Sequence, residues 1–548
     1  FKTVTTSYGK LRGSADYTNK NNTKYSFKSV PFVKPPLGDL RFALPEKPDP
    51  WGGILDATKY SAACLSNSSL SSTPQKFINE DCLYMNIFTS EDCLTKKCPV
   101  IVYIHGGSFN LDSATMFPDK FIFERYVENG IVFVIPAYRL GGFGQFYLGE
   151  KGGLPTNLLV YDVIQSLHYV HGDISNFGGN PEDVTLMGHS SGGQLVNALG
   201  FSDYADPEQK LFQKCIVLSG FEMYGFQEYK ESNSIEIAKR VNCFSENPQD
   251  IVDCMRKVNG LDILRAQQMI ESDEHHLFKS LLRAPPLMKL NENLANVKKN
   301  APRNRKMLCG VTEHELEHFP HPDFRVQGSF LDFENPMEVM MTYHNQFNNR
   351  TKYLVNTDSS AVFVAAATYS KAIVDAGGEV YLFETRQKPY SMHVSDMQYF
   401  IGIQREKTHT TDMDILDSFY SELLVNFTKY GEPSPMWEKL DPARMNFLAL
   451  EIDTELGIQP KMENGFHEEL IDFWLMDMNE LDKNITEQRR SSVFTDSVTT
   501  PNVISNSFSF YNQWWFYAVI IFILFIVFIA ILLILNKSKS GENQPLLG

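Results

Sequence analysis

Val184-Thr185-Leu186-Met187-Gly188-His189-Ser190-Ser191-Gly192-Gly193 decides how the rest of the chain is read. A short apolar, β-prone run leads into a serine with glycine two residues before it and two after, and a helix-compatible run, Gln194 to Leu199, follows. Strand, serine and helix in that order form the pattern of a nucleophile elbow. A serine on so tight a turn holds strained backbone angles, and glycine at the flanks lets strand and helix close around it. The turn exposes Oγ at a helix N-terminus, where N–H groups without an intrahelical partner can stabilise an oxyanion. Five residues match by chance too readily to stand alone, so the reading needs partners elsewhere in the chain.

Upstream, Val100 to Ile104 is a fully apolar strand and Ile131 to Ile135 is another, as in a parallel sheet covered on both faces. Leu158 to Val170 reads as a crossover helix, followed by a turn at Gly178-Gly179-Asn180-Pro181 and then the elbow strand. Alternating strands and helices predict an α/β fold with its chemistry at the carboxyl ends of the strands. Directly after the first apolar strand comes His105-Gly106-Gly107-Ser108-Phe109. Glycines there let the backbone approach a ligand, so the N–H groups of Gly106, Gly107 and Ser191 are the expected oxyanion hole. Residues 225 to 300 are charged and helical, and read as a cap over the entrance.

The 548 residues are 43% hydrophobic and 21% charged, an ordinary globular balance, and carry a formal charge of −16. That sign excludes nucleic acid and an anionic membrane surface as electrostatic partners. With no internal repeat and no linker before Trp474, one large domain is expected over residues 1–475. A polar segment rich in Ser, Thr and Asn then reads as a stalk, 476–513. Residues 514–535, Trp514 to Leu535, are unbroken and apolar, long enough to cross a hydrocarbon core of about 30 Å. Trp514-Trp515-Phe516-Tyr517 opens the run as an interfacial belt would, and Lys537 and Lys539 close it. The expectation is a type I single-pass protein, its large part lumenal or extracellular, with a cytosolic tail at 536–548 and a signal peptide removed ahead of Phe1. Sequons at Asn21, Asn67, Asn349, Asn426 and Asn484 fall on the lumenal side. Of the eight cysteines, sequence proximity pairs Cys64 with Cys82, Cys93 with Cys98 and Cys243 with Cys254. Cys215 and Cys309 sit in strand-like runs as buried thiols.

Several further stretches recur in order: Pro35-Pro36-Leu37-Gly38, Glu80-Asp81-Cys82-Leu83-Tyr84, Tyr138-Arg139-Leu140-Gly141, Asn176-Phe177-Gly178-Gly179-Asn180-Pro181, and the elbow itself. Together they make the chain resemble the type-B carboxylesterases, the cholinesterase-like branch of the α/β-hydrolases, over residues 1 to 475. The resemblance implies an α/β-hydrolase fold, a central mostly parallel sheet covered by helices, here followed by the C-terminal stalk and single transmembrane helix. It also implies a triad. The family's strand-end acid motif is matched by Gly310-Val311-Thr312-Glu313-His314-Glu315, which makes Glu315 the acid, and Ser391-Met392-His393 fits the segment that carries the base, His393. In that scheme His393 takes the Ser190 proton, Ser190 attacks an ester carbonyl, Glu315 orients His393, and water or another acceptor releases the acyl group.

A rival motif overlaps the acid. His314-Glu315-Leu316-Glu317-His318 reads as the zinc-protease pattern, which needs both histidines on one helix face. A strand runs straight into it, the charged Glu317 takes a position usually apolar, and Pro320 ends any helix, so no metal or other cofactor is expected. Two departures from the family matter. No tryptophan lies between Cys64 and Cys82, where cholinesterases stack choline, which argues against acetylcholine as substrate. His189 stands where the family usually has glutamate; an imidazole there, unless solvated and idle, should disfavour protonation of His393.

The tail sequence Glu542-Asn543-Gln544-Pro545-Leu546-Leu547 has the acidic-dileucine form read by sorting adaptors, which points to an acidic, lysosome-related organelle or the cell surface. The expected function is serine-dependent hydrolysis of a small-molecule carboxylic ester. Two alternatives share the architecture. One is acyl transfer to an alcohol or amine such as a glycolipid, as the resemblance of the layout to membrane-anchored nematode carboxylesterase-like proteins implies. The other is a neuroligin-like adhesion protein without catalysis.

Overall fold

The computed structural model describes residues 1–18, 22–66, 75–220, 224–273, 278, 280–288, 297–316, 324–346, 357–405 and 407–498. Its frame is a mixed sheet. From one edge the strands are Lys2–Thr5, Lys10–Asp16, Lys24–Pro31, Tyr84–Ser90, Val132–Pro136, Cys98–Ile104, Gly179–His189, Lys214–Leu218, Lys306–Thr312, Glu379–Thr385, Phe447–Leu450 and Lys461–Glu463. Every pairing from Val132–Pro136 to Phe447–Leu450 is parallel, and both margins are antiparallel. The central strands carry apolar residues on both faces because helices cover both. Val100, Ile101, Val102, Tyr103 and Ile104 are all fully buried.

The helix Ser191–Gly200 packs on the elbow strand and on Lys214–Leu218, Thr357–Asp375 on Lys306–Thr312 and Glu379–Thr385, and Thr411–Tyr430 on Cys98–Ile104. Local signals set the ends of the last: the Thr410 side chain accepts from the Met413 N–H, and Gly431 ends the helix in the left-handed conformation. The crossover helix runs Leu158–Asp173, three residues beyond expectation. Gly178 does turn, but Gly179 already pairs with Cys98, so the strand begins before Pro181 and is realigned by a register shift ahead of Val184. Proline is tolerated there because the ladder is interrupted at that point.

The cap consists of Gln227–Arg240, Pro248–Met255 and Gly260–Asp273. It has its own apolar cluster, in which Ile237, Ile251, Met255 and Ile263 meet Phe143, Phe146 and Leu158 of the body. Disulfides join Cys64 to Cys82, Cys93 to Cys98 and Cys243 to Cys254, and Cys215 and Cys309 are buried thiols on adjacent strands, as expected.

The compact unit that holds the sheet runs Phe1–Ile485, and the second unit, Thr486–Gly548, is described only as far as Val498. The polar segment expected to start a stalk at 476 instead begins as helix, Met478–Val498, with Met478 and Asp482 buried. The expected membrane span 514–535, the tail with Glu542, Leu546 and Leu547, and the sequons at Asn21, Asn67 and Asn349 lie outside the described residues. Among the described residues no helix is long and apolar enough to cross a membrane. Asn484 is exposed on its helix; Asn426 is half-buried and its amide donates to the Pro433 carbonyl at 3.2 Å.

Candidate active site

Ser190 stands between the elbow strand and the helix Ser191–Gly200 at φ 56°, ψ −126°, a conformation costly for any residue with a Cβ. Two glycines make the turn sterically achievable. A Cβ on Gly188 would come within 2.3 Å of the Gly192 carbonyl oxygen, and one on Gly192 within 2.1 Å of the Ile104 carbonyl oxygen. The Ser190 N–H donates to Leu218 O at 2.8 Å and its carbonyl accepts from Gln194 N at 3.0 Å, so the strained turn is held from both sides.

Glu315 lies in the turn after the strand Lys306–Thr312, and His393 in the loop after Glu379–Thr385, the neighbouring parallel strand. The two loops are stitched together: His314 N donates to Ser391 O at 2.8 Å and His393 N to Glu315 O at 2.9 Å. The side chains continue this pairing, with His393 Nδ1 2.5 Å from Glu315 Oε2 and His393 Nε2 2.9 Å from Ser190 Oγ. Glu315 is fully buried, and its other oxygen accepts from the Thr312 N–H and the Ser219 hydroxyl, both at 2.7 Å. Held in this way, Glu315 faces Nδ1 and fixes the imidazole orientation in which Nε2 accepts from Ser190.

The His105-Gly106-Gly107 turn lies against the elbow, since a Cβ on Gly106 would meet His189 O at 2.8 Å and Ser190 Cβ at 3.1 Å. Gly107 holds φ 103°, and a Cβ there would strike Leu111 O at 2.3 Å. The turn thereby lies against the elbow, and its Phe109 N–H donates to the Ser191 hydroxyl at 3.3 Å. Tyr138 supports it from below: its ring stacks on His105 at 4.4 Å and its hydroxyl donates to His105 O at 2.7 Å. Burial pushes His105 below the ordinary imidazole range, so it packs as a neutral ring. Arg139 anchors the next segment by a two-point ion pair with Asp162, at 2.7 and 2.8 Å. From there Gly141 N reaches Phe109 O at 2.8 Å.

The model of the carboxylesterase family matches residues 1–357. The chain belongs to the carboxylesterase family. Gut esterase 1 of Caenorhabditis briggsae is 33% identical over 288 residues, 49% of this chain and 49% of that protein. Para-nitrobenzyl esterase of Bacillus subtilis (strain 168) is 33% identical over 329 residues, 58% of this chain and 64% of that protein. Carboxylesterase 3B of Mus musculus is 29% identical over 431 residues, 71% and 72% of the two chains. The chain thus spans about half the length of the first of these relatives and under two thirds of the second. A solved structure of a PNB esterase superposes with a TM-score of 0.71 at 25% identity, covering 86% of this chain and 98% of that one, which establishes the α/β-hydrolase fold.

In this carboxylesterase-family chain the zinc-type pattern takes another form. Residues 313–316 make a turn and Glu315 is committed to His393, while Glu317 and His318 lie outside the described residues. His189 is 1% exposed, which removes the solvated alternative. Three contributors escaped sequence reasoning: Ser219, which holds Glu315, and Asn110 and Gln267, which tie the segment after the glycine turn to the cap. Gln267 accepts from Gly142 N at 2.8 Å and donates to Asn110 Oδ1 at 2.7 Å. Ser219-Gly220, placed directly after the apolar strand Lys214–Leu218, was a readable hint of a strand-end site residue. Gln267 carried no such hint, because the two partners that matter here, Gly142 and Asn110, lie more than a hundred residues away.

Proposed function

We propose that the chain is a serine-dependent carboxylic ester hydrolase working through an acyl-enzyme on Ser190. The observation that carries the reading is the continuous hydrogen-bonded series Ser190, His393, Glu315, built on the elbow beside the glycine turn. As the ester carbonyl settles against Ser190, His393 Nε2 takes the hydroxyl proton and Oγ attacks. The N–H groups of Gly106, Gly107 and Ser191 hold the tetrahedral oxyanion. Protonated His393, stabilised by Glu315, then gives its proton to the departing alcohol, and water repeats the sequence to free the acid. An alcohol or amine acceptor in place of that water would give acyl transfer with the same residues. A purely adhesive role is disfavoured because the strain at Ser190 and the fully bonded Glu315 serve packing poorly and catalysis well.

The large unit is proposed to work in a lumenal or extracellular space, tethered by Trp514 to Leu535, with Glu542, Leu546 and Leu547 as an adaptor-read signal for a lysosome-related organelle. The apolar run, its flanking Lys537 and Lys539, and the disulfides support this placement.

Peptide mass spectrometry of the full chain after exposure to a fluorophosphonate tests the reading. One adduct on Ser190, absent from Ser190→Ala, is expected; a folded chain that takes no adduct at pH 5 or pH 7 is not a serine hydrolase. Product analysis of a labelled ester with and without added alcohol then separates hydrolysis from transfer.

A further inference from the structure

Against the His393 imidazole lies a second one. The His189 ring is 5.4 Å from that of His393 with the planes 27° apart, and its other neighbour is Phe400 at 5.3 Å. His189 Nε2 is buried and makes no hydrogen bond among the described residues. It lies 3.9 Å from Asp396 Oδ1, which is buried and equally unbonded. The other Asp396 oxygen accepts from the Tyr420 hydroxyl at 3.2 Å. Two orphaned polar atoms that face each other, one on the nucleophile strand and one three residues past His393, are rare in a protein interior.

The 3.9 Å gap is longer than a hydrogen bond, but a small side-chain adjustment that closes it would let a single proton satisfy both. The surroundings choose how it is held. A charged His189 would oppose the protonated form of His393 stacked on it and the Arg405 guanidinium, itself paired with Asp112 at 3.3 Å. A charged Asp396 would be buried and would oppose the Glu315 carboxylate, and these two effects outweigh the help it would draw from a protonated His393, the Tyr420 hydroxyl and its own backbone N–H. The arrangement of lowest charge places the proton on Asp396 Oδ1, directed at the lone pair of a neutral His189. We propose that His189 and Asp396 are positioning residues that share one proton as an uncharged pair, sparing His393 a second neighbouring anion so that ester cleavage continues in mildly acidic surroundings. Consistent with this, burial, then the His393 and Arg405 charges, hold His189 well below the ordinary imidazole range, and burial with Glu315 pushes Asp396 up to about 7.

The inference rests on the hydrolase reading, and its test keeps the two apart. The pH profile of kcat/KM for a p-nitrophenyl ester is measured on the full chain in detergent, with thermal melts to verify folding. His189→Glu, which installs an anion, should raise the midpoint of the acid limb by about one pH unit and cut activity at pH 5 about tenfold, with the value at pH 8 kept. His189→Gln, neutral and similar in reach, should leave that midpoint within about 0.3 unit of wild type. An unmoved limb in folded His189→Glu, or an equal rise in His189→Gln, overturns the pair. Should His189→Glu fail to fold, Asp396→Asn decides through the rate of fluorophosphonate labelling. Beside the inflection of His393, ionisation of Asp396 should add a second one in wild type that is lost in the variant, and a labelling profile left unchanged by the substitution overturns the pair. A wild-type chain whose Ser190 takes no label defeats the hydrolase reading and the pair with it, whereas labelled Ser190 with an unmoved limb defeats the pair alone.

Discussion

Asp396 is 1% exposed, and burial together with the Glu315 charge pushes its carboxyl up to about 7 from an ordinary value of 3.8. In the unfolded chain that proton is lost near the ordinary value. Between the two pH values the native state therefore holds a proton that the unfolded state does not. Stability from this group is fully present below the ordinary value and is lost as pH rises toward 7, by roughly 4 kcal/mol in all. Urea unfolding of wild type and Asp396→Asn at pH 4, 5.5 and 7.5 should show wild type gaining on the variant toward acid by about that amount; a flat difference would place the carboxylate in its ordinary range. The neighbourhood also shows where legibility ends. Ser190, Glu315 and His393 each sit in a local motif, because elbow, strand-end acid and loop histidine impose residue types on their immediate neighbours. Asp396 lies in the same segment as His393, but its state is set by Tyr420, Glu315 and His189, brought together only by tertiary packing.

Among the elements, the apolar runs 100–104 and 131–135 were legible as strands since doubly covered parallel strands tolerate few polar residues. Asn180-Pro181 misled for a related reason. Proline usually breaks a ladder, yet here the ladder is already interrupted by the register shift. Contacts between elements were not legible at all, and the cap is the main case. Its helix Gly260–Asp273 grips the segment after the glycine turn through Gln267, which satisfies Gly142 N, while Asn110 Nδ2 bonds Glu271 at 2.5 Å. Gln267→Leu keeps the volume but leaves the Gly142 N–H and Asn110 Oδ1 without this partner, at a cost of roughly 2–4 kcal/mol. It should also loosen the backbone proposed to donate to the oxyanion, lowering kcat about tenfold while KM moves little. Steady-state kinetics beside urea unfolding check both; a variant destabilised with kcat intact would restrict Gln267 to packing.

For the molecule as a whole, the question with most consequence is where the catalytic unit ends. The drop in apolar content after Trp474 placed that boundary at 475, because a polar stretch cannot build its own core. It need not build one if it docks on another. Met478 is buried, and Asp482 accepts from Glu334 N and Asn335 N, both at 2.8 Å, and from Asn335 Nδ2 at 2.9 Å. A few well-placed residues thus tie a polar helix to the body, which composition averaged over a window does not register. Removing residues 476–485 would expose the Met478 site and leave the Glu334 and Asn335 donors without their carboxylate, a loss of roughly 3–5 kcal/mol. A secreted chain ending at 485 should therefore unfold at distinctly higher urea than one ending at 475. Asp482→Ala in the longer chain should lose about half of the difference, since it removes the acceptor and keeps the methionine. Equal midpoints for the two chains would return the boundary to 475 and reduce the first turns of this helix to an appendage.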